Sequence, residues 1–281
     1  MRFVRIIPKL DIKNGLLIKG INLEGLRVLG DPYNFAKYYF EQGADEICYM
    51  DNVATLYGTN NLSKFVKRTA QNIFIPLAVG GGIKSINDIE DMLRNGADKV
   101  CINSAVIDDK NFLKEAVKKF GSSTITVVIE SNEINGKYFI SKSNGRDLIN
   151  TRPEIWAKEL EELGAGEIFL TSVNREGLRT GFDIKMTEKI SSKVKIPVIA
   201  HGGAGTLDHI YEVIKKTNIN GVSFSSIVHY ETCNLFPQKK NKMFDIGNTY
   251  FISNKLNKKK PINELKLIKK YLLNKKIYVR K

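Results

Sequence analysis

A (β/α)8 barrel built from two repeated half-barrels is the fold that the sequence predicts, and three observations predict it. Residues 35–47 (FAKYYFEQGADEI) and 156–168 (WAKELEELGAGEI) share seven of thirteen positions at an offset of 121, among them Ala36/Ala157, Glu41/Glu162, Gly43/Gly164 and Glu46/Glu167. The same offset lays IPLAVGGG (75–82) over IPVIAHGG (196–203), and Ser104 over Ser225. Short apolar runs alternate with amphipathic patterns along the 281 residues, as expected of parallel strands separated by helices.

Strands are expected near 3–11, 46–51, 76–80, 99–103, 124–130, 167–171, 197–201 and 221–225, with helices over 32–42, 61–71, 86–95, 110–119, 153–163, 184–192, 207–216 and 262–274. Asp31-Pro32 and Thr151-Arg152-Pro153 supply helix-start signals at corresponding places in the halves. Three connections are long: 12–30, 131–151 and 226–260. Each follows a strand (the first, fifth and eighth), which puts it on the catalytic face of such a barrel. Loop 12–30, with Gly15, Gly20, Gly25 and Gly30, has the composition of a mobile lid, and 135–145 reads as a small hairpin. The whole chain, 1–281, is expected to form one domain with an insertion at 231–260 before the last helix. A doubly wound open sheet is the alternative. It explains neither the repeat nor the missing G-x-G-x-x-G after the first strand.

Composition narrows the function classes. Hydrophobic residues are 42% and charged residues 26%, which fits a globular protein and excludes collagen-like, low-complexity and disulfide-scaffold chains. No apolar run of about 18 residues exists to span a membrane, and MRFVRIIPKLDI does not read as a signal peptide. Cys48, Cys101 and Cys233 form no C-x-x-C pair, which points to reduced thiols and a cytoplasmic location. The net charge is +14, but residues 255–281 hold eleven Lys or Arg against one acid, Glu264, leaving +4 for the other 254 residues. The excess is a C-terminal feature with no nucleic-acid motif beside it, so a solvated helix face is expected and no nucleic-acid partner.

The candidate chemistry gathers at strand ends. Asp11 closes RIIPKL and Glu130 closes TITVVI at matching places in the halves. A carboxylate there is costly in a core but useful at a barrel mouth, where two can divide acid and base work. Gly81 and Gly82 follow the third strand and Gly202 and Gly203 the seventh; Asn103-Ser104 and Ser225-Ser226 end the fourth and eighth. Glycine backbone and hydroxyl groups in such turns bind phosphate, so two phosphate sites across one mouth are expected, with an elongated, phosphorylated small-molecule substrate between them. Arg5, Glu46, Lys99 and Glu167 begin or approach strands at the opposite end and can close a ring of charges; a stabilising salt-bridge cluster is the plain alternative. His201 ends the seventh strand and should face the mouth as a substrate contact. His201, His209 and His229 suit no metal motif, so neither metal nor cofactor is expected.

Taken in order, RIIPKLDIKNGLLIKG, GADEI, IPLAVGGGI, GADKVCINSA, GAGEI, LTS-x-x-R-x-G and GGAG resemble the cyclase subunit family of imidazole glycerol phosphate synthase over about residues 1–230 and again in the last helix. The related phosphoribosyl-formimino isomerases share the half-barrel repeat but have a first strand closer to PAIDL and lack the four-charge set. The resemblance implies a glutaminase partner docked at the N-terminal face of the barrel, an ammonia gate at Arg5, Glu46, Lys99 and Glu167, and a catalytic Asp11. It implies a substrate-holding Lys19 and mouth or phosphate positions at Asp51, Gly82, Asn103, Thr171, Gly203 and Ser225. Departures fall on the substrate side: Glu130 for the second catalytic aspartate, Asn174 and Glu176 for the aspartates of D-R-D-G, and His201 for a usual serine. That pattern implies ammonia delivery retained with an altered acceptor, as in paralogues that work with sugar amidotransferases on nucleotide-linked or surface-polysaccharide sugars. Three readings follow: an ammonia-using synthase subunit of the carbon–nitrogen lyase type acting in histidine biosynthesis, the surface-sugar paralogue, and a barrel that only activates or feeds its glutaminase partner.

Overall fold

In a computed structural model, which describes residues 3–52, 62–236 and 264–280, the first strand, β1 (Arg5–Lys13), runs into a hairpin of β2 (Leu16–Ile21) and β3 (Glu24–Gly30) before α1 (Pro32–Glu41). Then come β4 (Ile47–Asp51), α2 (Ser63–Ala70), β5 (Leu77–Gly80), α3 (Ile86–Arg94), β6 (Lys99–Ile102), the short α4 (Ser104–Asp108) and α5 (Lys110–Phe120). The second half repeats the plan: β7 (Ile125–Ile134), a hairpin of β8 (Lys137–Lys142) and β9 (Asp147–Ile149), α6 (Pro153–Glu162), β10 (Glu167–Ser172), α7 (Ile184–Ser191), β11 (Val198–His201), α8 (Leu207–Lys216), β12 (Gly221–Phe224) and α9 (Ser226–Leu235). The final helix is α10 (Leu265–Asn274).

The eight expected strands are β1, β4, β5, β6, β7, β10, β11 and β12, and they close into a parallel barrel. Arg5 of β1 lies opposite Gly221 of β12, and Glu130 of β7 lies opposite Thr171 of β10. The remaining neighbours pair in chain order around the ring. Register carries the repeat: Met50 faces Gly80 and, 121 residues on, Thr171 faces His201. Asp11 pairs with Met50 as Glu130 pairs with Thr171, so the two carboxylates stand at one level.

Local chemistry explains the elements. Pro32 opens α1 behind Asp31, whose carboxylate accepts from Tyr33 N at 2.9 Å, and Ser85 with Asp88 forms a capping box on α3. Pro153 likewise opens α6, although Arg152 offers no side-chain cap. The apolar faces of the helices pack on the outside of the barrel through residues such as Phe35, Tyr39, Trp156 and Leu160. Inside the barrel lies a separate layer of Ile7, Cys48, Ala78, Cys101, Val128, Phe169 and Ile199.

Four expectations need correction. Residues 12–30 are not an open loop: Asn14 (φ 50°) and Gly15 (φ 76°) make a two-residue turn into β2. That positive-φ Asn-Gly pair is what a tight hairpin requires. Asn135 (φ 49°) and Gly136 (φ 75°) do the same for β7 and β8, so the expected hairpin at 135–145 belongs to a longer one and the device is part of the repeat. The long connection after the eighth strand begins with a helix, α9, that reaches Leu235; of the expected insertion, residues 237–260 lie outside the described residues. Ser104 matches Ser226 rather than Ser225, because one additional residue separates β11 from β12. Asn103 (φ −138°, ψ −85°) and Ser225 (φ −129°, ψ −77°) share the helix-start conformation.

The basic C-terminus is partly structural. Asp45 accepts from Ile6 N at 2.8 Å and from Lys269 at 2.7 Å, and Arg280 lies 3.1 Å from it, pinning the end of the chain below β1.

Candidate active site

At the N-terminal end of the strands the four expected charges form a closed ring. Arg5 bonds Glu46 at 2.8 Å and also Glu167; Lys99 bonds Glu46 and Glu167 at 3.0 Å each. Alternation around the barrel places each cation between two carboxylates. Burial pulls Arg5 and Lys99 down, but the two glutamates outweigh it and hold both above their ordinary values. Burial raises Glu46 despite Lys99. Above this ring the lumen is lined by the small apolar layer of Cys48, Ala78, Cys101 and their neighbours.

At the other end Asp11 is 1% exposed and ion-paired with Lys9, itself buried on the same inward face of β1. The Lys9 carbonyl accepts from Ser225 Oγ at 2.8 Å and lies 2.8 Å from His229 Nε2. Tyr39 Oη is 2.7 Å from His229 Nδ1, which fits a neutral ring donating to the carbonyl and accepting from the phenol. Burial lowers His229 to about 4, consistent with that state. For Lys9, burial lowers the ammonium but Asp11 and Glu176 outweigh it.

The mouth splits into two unequal sites. On the first-half side Asp51, Gly81, Gly82, Asn103, Ser104 and Glu130 line a cavity of about 200 Å³, together with Lys84. Gly81 (φ +102°) is required there, since a Cβ would stand 2.2 Å from the Asp51 carbonyl. The second-half hairpin roofs this cavity: Ser104 Oγ accepts from Ser143 N at 3.2 Å, and Glu130 accepts from Gly145 N at 2.8 Å. Burial pushes the Glu130 carboxyl up to about 7, with the Gly145 N–H and the charge of Lys9 opposing.

On the second-half side Gly202, Gly203, Ser225 and Ser226 border a cavity of about 10 Å³, together with Glu176, His201 and Phe224. Lys19 is buried on β2 rather than carried on a free lid. Its Nζ donates to both Glu176 oxygens at 2.7 Å and to the Gly20 carbonyl at 2.9 Å. His201 Nε2 lies 3.4 Å from Glu176 Oε1, and its Nδ1 has no hydrogen-bond partner. Burial raises Glu176, but Lys19, with His201 and Lys9, more than offsets it and holds the carboxyl well below the usual range. Burial lowers His201 in spite of Glu176. Thr171 is buried between Glu130 and His201 in the strand register.

Every sequence-predicted site residue therefore falls at one of the two barrel ends. Two participants escaped the sequence reading. Lys9 was absorbed into an apolar strand, although positions 5, 7, 9 and 11 of one strand must share a face. Glu176 was noted as a departure without its partner, Lys19, which lies 157 residues away. Among the described residues no group of three or more His, Cys, Asp or Glu could hold a metal ion, and no helix is long and apolar enough to cross a membrane.

Residues 5–234 match the family described as histidine biosynthesis protein. The chain is 50% identical over 209 residues to imidazole glycerol phosphate synthase subunit HisF of Legionella pneumophila, covering 74% of this chain and 99% of that one. It is 45% identical over 229 residues to the subunit of the same name from Bacillus cereus strain G9842 (80% and 90% covered). The Sulfurisphaera tokodaii subunit is 46% identical over 211 residues (75% and 85% covered).

Proposed function

The chain belongs to the histidine biosynthesis protein family, and we propose that it is the ammonia-using, cyclase-type synthase subunit of a two-component glutamine amidotransferase. The observation that carries this reading is one barrel with a closed ring of four charges at one end and two level carboxylates, Asp11 and Glu130, at the other. A glutaminase partner docks at the N-terminal face. Phe74, just ahead of β5 on that face, is 79% exposed and offers it an apolar contact. Ammonia enters through the ring formed by Arg5, Glu46, Lys99 and Glu167 and crosses the apolar lumen. At the mouth it meets a phosphorylated acceptor held by Gly81, Gly82, Asn103 and Ser104, with Asp51, Thr171, Gly202 and Gly203 bordering it.

Asp11 and Glu130 divide the proton work. Asp11, held by Lys9, is the acceptor; Glu130, titrating at about 7, is the donor. The purified chain should turn over with ammonium salts, and with glutamine only when the glutaminase protein is added. Glutamine-dependent turnover by the single chain would overturn this assignment.

A second reading concerns the acceptor. The longer Glu130 and the small second-half cavity favour ammonia transfer to a molecule other than the histidine-pathway bisphosphate, a nucleotide-linked or surface-polysaccharide sugar among them. With ammonium and that bisphosphate, weak or no turnover is expected. A rate of about 1 s⁻¹ or more, ordinary for an enzyme, would instead assign the histidine-pathway reaction.

A further inference from the structure

Three sulfur atoms converge inside the barrel, between its two ends. Alternation along β4 turns Cys48 and Met50 to the inside above Glu46 of the ring, and alternation along β6 turns Cys101 to the inside above Lys99. Between these strands runs β5, whose inward positions are Ala78 and Gly80. With so little side chain on the middle strand, the flanking residues close over it. A Cβ on Gly80 would stand 2.7 Å from the Cys101 Cβ and 2.8 Å from the Met50 Sδ, so thiol and thioether lean toward one point. Cys48 and Cys101 belong to the same packed lumen layer, at 0% and 2% exposure. The neighbouring Cys48 thiol, then burial, pushes the Cys101 thiol well above its ordinary range, so it keeps its proton until a metal displaces it.

The layer offers one kind of donor. Ile7, Cys48, Ala78, Cys101, Val128, Phe169 and Ile199 form it, and among these described residues no side chain but cysteine carries a donor atom. Sulfur donors without carboxylate or imidazole select soft ions such as Cu(I) over magnesium, calcium or manganese. A route exists as well. Met50 and Cys101 are in the lining of the first-half cavity of about 200 Å³, so an ion that enters at the mouth reaches the sulfur atoms at its floor. Charge is also matched. One monovalent ion replaces the protons of two thiols, its oxidation state unchanged, and the resulting dithiolate complex carries one negative charge. Lys9, opposite Cys48 in the strand register, is the cation beside it.

We propose that Cys48, Cys101 and Met50 form a binding site for a soft monovalent metal ion of the Cu(I) type, in the lumen between the ring of charges and the first-half cavity. An ion held there fills the route assigned above to ammonia, but its binding does not depend on that assignment.

The test reads binding alone, so it stands or falls apart from any turnover assay. The reduced full chain is titrated anaerobically with Cu(I) in competition with a coloured Cu(I) chelator. One ion per chain and two protons released per ion are expected, and X-ray absorption at the copper edge should show a shell of sulfur only. Cys48→Ser and Cys101→Ser should each weaken binding by about 10²-fold or more, and Met50→Leu by about tenfold. Cys233→Ser, which removes the thiol bonded to the Leu29 carbonyl on α9, should leave it unchanged. No copper retained against the chelator, retention unaltered in both lumen serine variants, loss of binding in Cys233→Ser, or a nitrogen or oxygen ligand in the copper shell would each overturn the proposal. If a lumen serine variant does not fold, Met50→Leu, Cys233→Ser and the copper shell of the unaltered chain decide the matter.

Discussion

Asp11 in the first half of the barrel and Glu130 in the second stand at one level of the mouth, yet their surroundings differ. Asp11 is buried against Lys9, whereas Glu130 has a backbone N–H, from Gly145, as its nearest partner. The glycine turns differ as well: the first borders a cavity of about 200 Å³, and the second, beside His201 and Glu176, one of about 10 Å³. A duplicated scaffold thus supplies two equivalent positions, and single side chains make them unequal. Strand register and hairpin turns are shared because the backbone sets them. Charge and volume are set residue by residue, and the halves diverge there.

The largest effect should come from breaking the first-half carboxylate. Asp11→Asn keeps the shape but cannot take a proton, so ammonia-dependent turnover should fall by about 10²–10⁴-fold, the range for losing a positioned acid or base. Steady-state rates with saturating ammonium salt measure it. Full activity in this variant would remove Asp11 from the chemistry and leave Glu130 as the only carboxylate of the pair in play.

A smaller but still large effect belongs to the opposite end of the barrel, where both halves contribute charges to one ring. Lys99→Met removes a cation that holds Glu46 and Glu167 at 3.0 Å each. The two carboxylates would then share only Arg5. Breaking one partner of a buried cluster costs about 3–5 kcal/mol, and water reaching the partly exposed Lys99 brings the expectation to ~3 kcal/mol. Urea unfolding of the variant against the unaltered chain measures the loss. An unchanged midpoint would show that the ring contributes nothing to stability, and that its closure has another reason.

The sequence reveals the scaffold more readily than the wiring. Glycines at strand ends, prolines at helix starts and the 121-residue offset are backbone features, and each is local or repeated. The hairpin after the first strand is legible too, in Asn14-Gly15, although four spaced glycines suit a loop equally well. Lys9 was hidden because lysine is rarely buried, so a lysine within an apolar run reads as surface. The Lys19–Glu176 pair joins the first half to the second, and no spacing rule reaches across 157 residues. His201 is legible as a mouth residue, while its place in the lining of a small cavity appears only once the neighbouring turns are folded against it.

The last expected effect is the smallest and sharpens the contrast between the two carboxylates. Glu130 has a folded pKa of about 7 against an ordinary 4.5, so the folded state holds its proton where the unfolded chain has released it. A carboxyl raised in this way contributes no penalty below pH 4.5. It costs stability progressively as pH rises from 4.5 to about 7, and the full penalty is present above that. Glu130→Gln removes the ionisation and keeps an oxygen able to accept from Gly145 N. At pH 8 the variant should therefore be more stable than the unaltered chain, by ~2 kcal/mol once solvent access to this partly buried group is allowed for. At pH 4 the two should be nearly equal. Denaturant unfolding at a series of pH values measures the difference. A gain that is the same at pH 4 and pH 8 would mean that packing rather than charge sets it, and that Glu130 does not titrate near neutrality as its role of proton donor demands.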